Sequence, residues 1–410
     1  MGLYTIKWLN DNFDETLLGL YYYGTLSYIT IVVSLLDFGI PKLIQKYFTS
    51  KPHKNETGDF WTSINVVRVL SFFIGLLIVF LTYRLTGHTD LKITLLLFLL
   101  QFILIWDLNY RSICDAFNQG WQFNITDFVG RSILVLSLVL TNFLKPDSIN
   151  YLDYFLYTTL FVYVISFFAD SFWQSKRYTF GKFDKQIFSE NLKPMFLLGS
   201  AVFLAAVLLQ ARQLILNNYF VNDPSMLGSF GNADKIFTLA GIIPGITMPI
   251  LASHVTRQLK TDHLSRVSAK IKEILKVTQK RSIIIEYGLY TLILGTIVAF
   301  GTIVVSPFLM GFIDSQGKYP QTINAILILS IAMVIYSTVY FYSFLIVFLG
   351  GEKFEFMSTV FLTLFGLLFY FILIPTYGIY GACIATVIIF GIDFCIKIYS
   401  LSHLTREKEN

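Results

Sequence analysis

Apolar residues in this chain fall into long unbroken runs. They show neither the i, i+3, i+4 stripe of a surface helix nor the strict alternation of a half-buried strand. A helix that crosses the hydrocarbon slab needs about 20 mostly apolar residues, because the slab is about 30 Å thick and each residue rises about 1.5 Å. Eleven runs have that length: Leu18 to Ile40, Trp61 to Tyr83, Leu91 to Ile113, Ile125 to Leu144, Tyr154 to Trp173, Met195 to Phe220, Met226 to Ala252, Ile283 to Phe308, Thr322 to Leu349, Phe354 to Pro375 and Tyr377 to Leu401. A large outer-membrane barrel would instead show segments of about ten residues alternating apolar and polar. The pattern predicts an all-α integral membrane protein with about 11 transmembrane helices. The longest connection, Ser253 to Ser282, carries Leu264, Val267, Ile271, Ile274, Leu275 and Val277 at near-helical spacing, which predicts an amphipathic helix on the membrane surface.

Composition agrees with the pattern. Of 410 residues, 55% are apolar, 17% aromatic and 14% charged, against roughly 25% charged in an average soluble domain. This excludes a water-soluble enzyme, and a chain so apolar is not disordered. Cys114, Cys383 and Cys395 match no metal-ligand spacing and lie in or beside apolar runs, so they read as inert core residues. No metal, cofactor or nucleic-acid partner is expected, and no connection is long enough for a catalytic domain. The five tryptophans, Trp8, Trp61, Trp106, Trp121 and Trp173, fall near run ends, where amphipathic rings favour the headgroup layer.

The placement of the cations orients the chain, since cytoplasmic loops are enriched in Lys and Arg. One set of alternate connections holds Lys42, Lys46, Lys51, Lys54, Arg111, Lys176, Arg177, Lys182, Lys185, Lys193, the basic residues from Arg257 to Arg281, Lys353, Lys397, Arg406 and Lys408. The other holds only Lys7, Arg84, Lys92, Lys145 and Lys318. The first set is therefore expected in the cytoplasm, together with the C-terminus. An odd number of spans then puts the N-terminus outside, and the favoured explanation is that a helix preceding the first span is missing from this chain.

Transporters are often built from repeated bundles. The first run, from Gly19-Leu-Tyr to Asp37-Phe-Gly-Ile-Pro41, and the seventh, from Gly228-Ser-Phe to Pro249, each open on Gly-x-aromatic and close near a proline. This predicts two pseudo-repeated bundles: an N-terminal one over 1–174 with five spans, a basic cytoplasmic linker over 175–194, and a C-terminal one over 195–410 with six.

Three stretches carry a family resemblance. Leu18-Gly-Leu-Tyr-Tyr-Tyr through Lys42 resembles a second helix, Leu227-Gly-Ser-Phe-Gly-Asn-Ala-Asp-Lys235 through Pro249 an eighth, and Pro375-Thr-Tyr-Gly-Ile-Tyr-Gly-Ala-Cys-Ile-Ala-Thr386 the entry to the last helix. The family is the Wzx-type flippase branch, the polysaccharide transporters of the multidrug, oligosaccharidyl-lipid and polysaccharide exporter superfamily. Its members have twelve helices, so this chain lacks the first. The resemblance implies a non-enzymatic protein of the bacterial inner membrane that serves the biosynthesis of lipopolysaccharide or capsule. Its substrate would be an undecaprenyl-diphosphate-linked oligosaccharide, and other polysaccharide assembly proteins would be its partners. Many members carry an acid midway along the seventh helix, where this chain reads Leu209-Gln-Ala-Arg-Gln-Leu214.

Charges inside spans must face protein or water, which makes them functional candidates. Arg68, Arg131 and Asp107 sit near the inner ends of their runs; Arg212, Asp234 and Lys235 lie toward the outer ends of theirs, with Arg212 level with the other two. Arg68, Arg131, Arg212 and Lys235 are candidate ligands of a lipid diphosphate in a net positive, water-filled cavity between the halves, with Asp107 and Asp234 as supporting acids; inter-helix ion pairs are the competing reading. Gly241, Pro244, Gly245 and Pro249 mark a candidate hinge for alternating access. Glu286 is expected to pair with Lys280 or Arg281. A drug or cation exporter of the same superfamily, which would need an anionic cavity, and a polymerase-like membrane enzyme are the alternative functions.

Overall fold

The computed structural model describes residues 2–50, 54–83, 90–116, 121–144, 150–175, 181–183, 185–261, 266–275, 278–314 and 316–407. Lys51, Arg84, Lys145, Lys176, Arg177 and Lys408, and with them part of the expected linker, lie outside these residues. Ten described tracts are long and apolar enough to cross a membrane. The last, Glu352–Thr405, makes two crossings because Gly378 (φ 56°, ψ −130°) breaks its helix. The described residues thus carry the eleven spans that the pattern predicts.

Two compact units divide the chain, Met1–Gln210 and Ala211–Asn410. The boundary lies beyond the basic linker, so that residues 195–210 join unit 1. One reason is local: Gly39, with φ 63°, lies so close to Leu198 and Gly199 that an added Cβ would come within 2.5 Å of the Leu198 Cβ.

Unit 1 contains α1 (Gly2–Asn12), a π-helical stretch (Leu17–Gly24), α2 (Thr25–Leu35), α3 (Ile40–Ser50), α4 (Lys54–Thr82), α5 (Leu91–Ala116), α6 (Trp121–Leu144), α7 (Tyr151–Ser175) and the first part of α8 (Lys185–Tyr219). α5 is its hub, packing on α2, α3, α4 and α7. Unit 2 contains the rest of α8, then α9 (Pro224–Ala240), α10 (Ile242–Thr261), α11 (Arg266–Leu275), α12 (Gln279–Ile313), α13 (Thr322–Phe348) and α14 (Glu352–Glu407). α13 is the hub here, packing on α9, α10, α12 and α14. The hubs are the third span of unit 1 and the third of unit 2 counted from α9, so the two bundles repeat one plan.

In each unit the first of these spans is broken. α2 and α3 meet at Asp37–Gly39, where Phe38 and Gly39 both take positive φ, and α9 and α10 meet at Gly241. Large apolar side chains such as Phe73, Leu81, Phe143, Phe300 and Phe308 face outward, as lipid-facing positions require. α11 occupies the expected amphipathic stretch and docks through Ser268, whose hydroxyl bonds the Glu286 carboxylate of α12.

Several local expectations are corrected by packing. Trp8 and Trp61 are buried rather than interfacial, Trp8 stacking on Phe155, while Trp106 donates its Nε1–H to Asn65 at 3.0 Å. Only Trp121 and Trp173, which meet edge to face, are exposed as headgroup residues would be. Cys114 and Cys383 are buried, but Cys395 is exposed. Glu286 bonds Ser268 and Tyr290, and Arg281 turns instead to Ser402.

Candidate functional site

The charges inside the spans form separate groups within each unit. Arg68 on α4 is fully buried and holds the helix break of unit 1. Its guanidinium donates to Asp37 Oδ1 at 2.7 Å, to the Leu36 carbonyl at 3.1 Å and to Asn109 Oδ1 at 3.0 Å. A helix that ends inside protein leaves carbonyls without partners, and the fork of donors on an arginine fits such a site. Arg131 donates from Nε to Asp127 at 2.8 Å, one turn earlier on α6, in a pair that is partly exposed.

Asp107 was expected to support these arginines, but their carboxylates are Asp37 and Asp127. Asp107 on α5 faces the Asp170 carboxylate of α7 instead, and Asp170 accepts a hydrogen bond from the Thr126 hydroxyl at 2.7 Å. The arginines are each matched by a carboxylate and the Asp107–Asp170 group adds two more, so the cationic surplus expected of this half is absent from the described residues.

In unit 2 Arg212 and Asp234 are level, as their run positions predict, and form an ion pair between α8 and α9. Arg212 also donates to the Thr386 hydroxyl at 3.2 Å and lies 5.5 Å over the Phe230 ring. Thr386, bonded in turn to the Tyr370 hydroxyl, closes the Pro375–Thr386 motif. The motif thus supplies the φ-positive Gly378 that turns the chain and, two turns later, a ligand for the buried arginine. Lys235 follows Asp234 on α9 and adds a second cation to this end of the span. A buried guanidinium bonded to a neutral hydroxyl on one side and a carboxylate on the other can transfer its donors to an incoming oxyanion.

A second group in unit 2 was not anticipated. Lys397 had been counted with the cytoplasmic loops, yet it is only 2% exposed. Its ammonium lies 2.5 Å from Glu355, 2.9 Å from the Ser358 hydroxyl and 3.8 Å from Asp393. Glu355 accepts a further bond from Ser343 of α13 at 2.5 Å. The sequence signal was the i, i+4 spacing of Asp393 and Lys397, which puts both on one face of a span.

The four hinge candidates fall at the break of unit 2. Gly241 ends α9, and Pro244 occupies the first turn of α10, where its missing N–H costs nothing. The Gly245 N–H reaches the Gly241 carbonyl at 2.9 Å, and Pro249 interrupts the ladder one turn later. A Cβ added at Gly245 would meet nothing within 4 Å.

No protein-family profile and no characterised protein matches the sequence. Solved structures do match. A multidrug resistance MATE family transporter of the MOP superfamily, in its inward-facing conformation, aligns over 100% of this chain and 95% of its own with a TM-score of 0.67 and 15% identity. An outward-facing structure of such a transporter gives 0.71 at 14% identity over 93% of its length. A MOP superfamily transporter from Pyrococcus furiosus, whose binding pocket is described as reversed in polarity, gives 0.72 at 15% identity over 93%. The chain has the fold of these transporters. At such identities the likeness extends to architecture: a multi-pass, two-bundle helical membrane protein.

Proposed function

We propose that the protein is a transporter of the MOP type that flips a polyprenyl-diphosphate-linked oligosaccharide from the inner to the outer leaflet of a bacterial cell membrane by alternating access. The observation that carries this reading is the buried Arg212 of unit 2, whose guanidinium is held between the Asp234 carboxylate and the neutral Thr386 hydroxyl, with Lys235 next to Asp234 on α9. A diphosphate is a multivalent oxyanion, and guanidinium recognises it through paired, charge-assisted hydrogen bonds. The headgroup would engage this group while the lipid tail stays in the bilayer. The distribution of Lys and Arg supports a cytoplasmic C-terminus, and the break at Gly241 supplies a place for α9 and α10 to bend. Unit 1 contributes Arg68 and Arg131 only where the transport cycle frees them from Asp37 and Asp127.

Export of a drug or organic cation is the second reading. It is favoured by the buried carboxylates Asp107 and Asp170 of unit 1 and by the multidrug transporters among the structural neighbours. Cells dependent on this protein for surface polysaccharide separate the two. With Arg212→Ala or Lys235→Ala, surface polysaccharide is expected to fall about tenfold, the effect of losing one charge-assisted hydrogen bond of about 1.5 kcal/mol. Wild-type export by both variants, or resistance to cationic drugs conferred by the chain, would overturn the flippase reading.

A further inference from the structure

One amphipathic helix of unit 2 is covered by protein along one edge and open beside it. On α11 the Ser268 side chain is fully buried and its hydroxyl bonds the Glu286 carboxylate of α12, so this edge of the helix is docked. Val267 (45% exposed), Ile274 (67%) and Leu275 (54%) stand open. At about 100° per residue, Ile274, Val267, Ile271 and Leu275 fall on one arc, which Ser268 borders. Lys270 and Lys272, both exposed, flank that arc on either side, and the exposed Glu273 lies on the far side of the helix.

α12 sets the depth of this face. Its 35 residues rise about 50 Å, against a hydrocarbon slab of about 30 Å. Centred in the slab, α12 extends about 10 Å beyond it at each end. Glu286 lies seven residues after Gln279, the first residue of α12, which is about 10 Å along the helix. Ser268 therefore docks α11 where acyl chains give way to headgroups, the level at which an interfacial helix buries its apolar side. At this depth the open Val267 and Ile274 meet acyl chain. Lysines at the edge of such a face lay their stems over the apolar layer and carry their ammonium groups to the phosphates. The charge of the whole connection is complementary to an anionic surface: from Arg257 to Arg281 it holds eight cations against two carboxylates, Asp262 and Glu273.

We propose that α11 is a binding surface for anionic phospholipid. Val267, Ile274 and Leu275 insert among the acyl chains, and Lys270 and Lys272 bind the headgroup phosphate of a lipid such as phosphatidylglycerol. The surface is independent of the transported substrate.

Site-specific fluorescence of the purified full chain in phosphatidylcholine vesicles tests this. In a Cys395→Ser background, which leaves the buried Cys114 and Cys383, Ile274→Cys or Glu273→Cys carries an environment-sensitive fluorophore. Brominated phosphatidylglycerol, brominated phosphatidylcholine and aqueous iodide are compared as quenchers. At position 274 the expected result is quenching by brominated lipid and shielding from iodide, with phosphatidylglycerol preferred at least about fivefold. At position 273 iodide is expected to quench. Adding Lys270→Gln and Lys272→Gln should bring the lipid preference at position 274 to about one while quenching by lipid persists. Iodide quenching at position 274 would place the face in water, and quenching by neither lipid nor iodide would place protein over it; either result overturns the proposal. Equal quenching by the two lipids before the lysines are replaced would overturn the anionic preference, and a preference that survives their replacement would overturn the assignment to Lys270 and Lys272.

Discussion

Unit 2 closes two buried carboxylates around an ammonium, whereas unit 1 closes two around each other. Both groups sit where the hub helix and the next two spans converge. The difference shows that one bundle plan accommodates buried acid with a lysine in unit 2 and without one in unit 1, where Asp107 and Asp170 each keep one oxygen without a hydrogen-bond partner. The arginines differ as well: Arg68 and Arg131 of unit 1 are each held by a carboxylate, whereas Arg212 of unit 2 divides its donors between Asp234 and the neutral Thr386 hydroxyl.

The largest expected effect tests the permanent arrangement. Lys397→Met strands Glu355 and Asp393 without their cation, and breaking a buried ion pair from one side costs about 3–5 kcal/mol. The purified variant should unfold at a markedly lower temperature, and adding Glu355→Gln should restore part of the loss. Asp107→Asn sharpens the contrast, because a neutral amide replaces a carboxylate for which no ion pair is described; its stability should change by about 1 kcal/mol or less. A melting temperature for Lys397→Met equal to that of the wild-type protein would remove the distinction between the two groups.

The two helix breaks form a second, smaller contrast. Gly39 combines positive φ with backbone contacts too close for a Cβ, so Gly39→Ala should cost about 1–3 kcal/mol in thermal stability. Gly245 has open space around its Cα and helical hydrogen bonding. Gly245→Ala should therefore change stability by no more than about 0.5 kcal/mol. A slower transport rate in that variant at unchanged stability would mark the unit 2 break as the moving one, and an unchanged rate would mark it as a static kink.

Much of this was legible in the chain. Run length and polarity marked the spans and the level placement of Arg212 with Asp234, and the Gly-x-aromatic openings with their closing prolines marked the repeated first helix. The partners of Arg68 and Arg131 were not identified, for different reasons. Asp37 lies three residues before the end of the first run and looks like a boundary residue, so nothing in the sequence brings it onto Arg68 until α2 breaks. Asp127 stands four residues before Arg131, a spacing that does announce a pair. Asp170 and Lys397 lie near run ends, where a charge normally reaches the interface; their burial depends on the rotation and depth of packed neighbours, which run boundaries do not fix. The trio of Lys397, Glu355 and Asp393 joins two spans through such a register, and only its i, i+4 half could be read in advance.

The cationic group of unit 2 is tested most directly by translocation of a fluorescent polyprenyl-diphosphate-linked glycan in vesicles containing the purified protein, with rates normalised to folded protein. Arg212→Ala, which removes the buried guanidinium held between Asp234 and Thr386, should slow translocation about tenfold. Arg131→Ala, which removes one already matched by Asp127, should leave the rate within about twofold of wild type. Equal rates for the two variants, or a greater loss with Arg131→Ala, would contradict the assignment of the diphosphate site to unit 2.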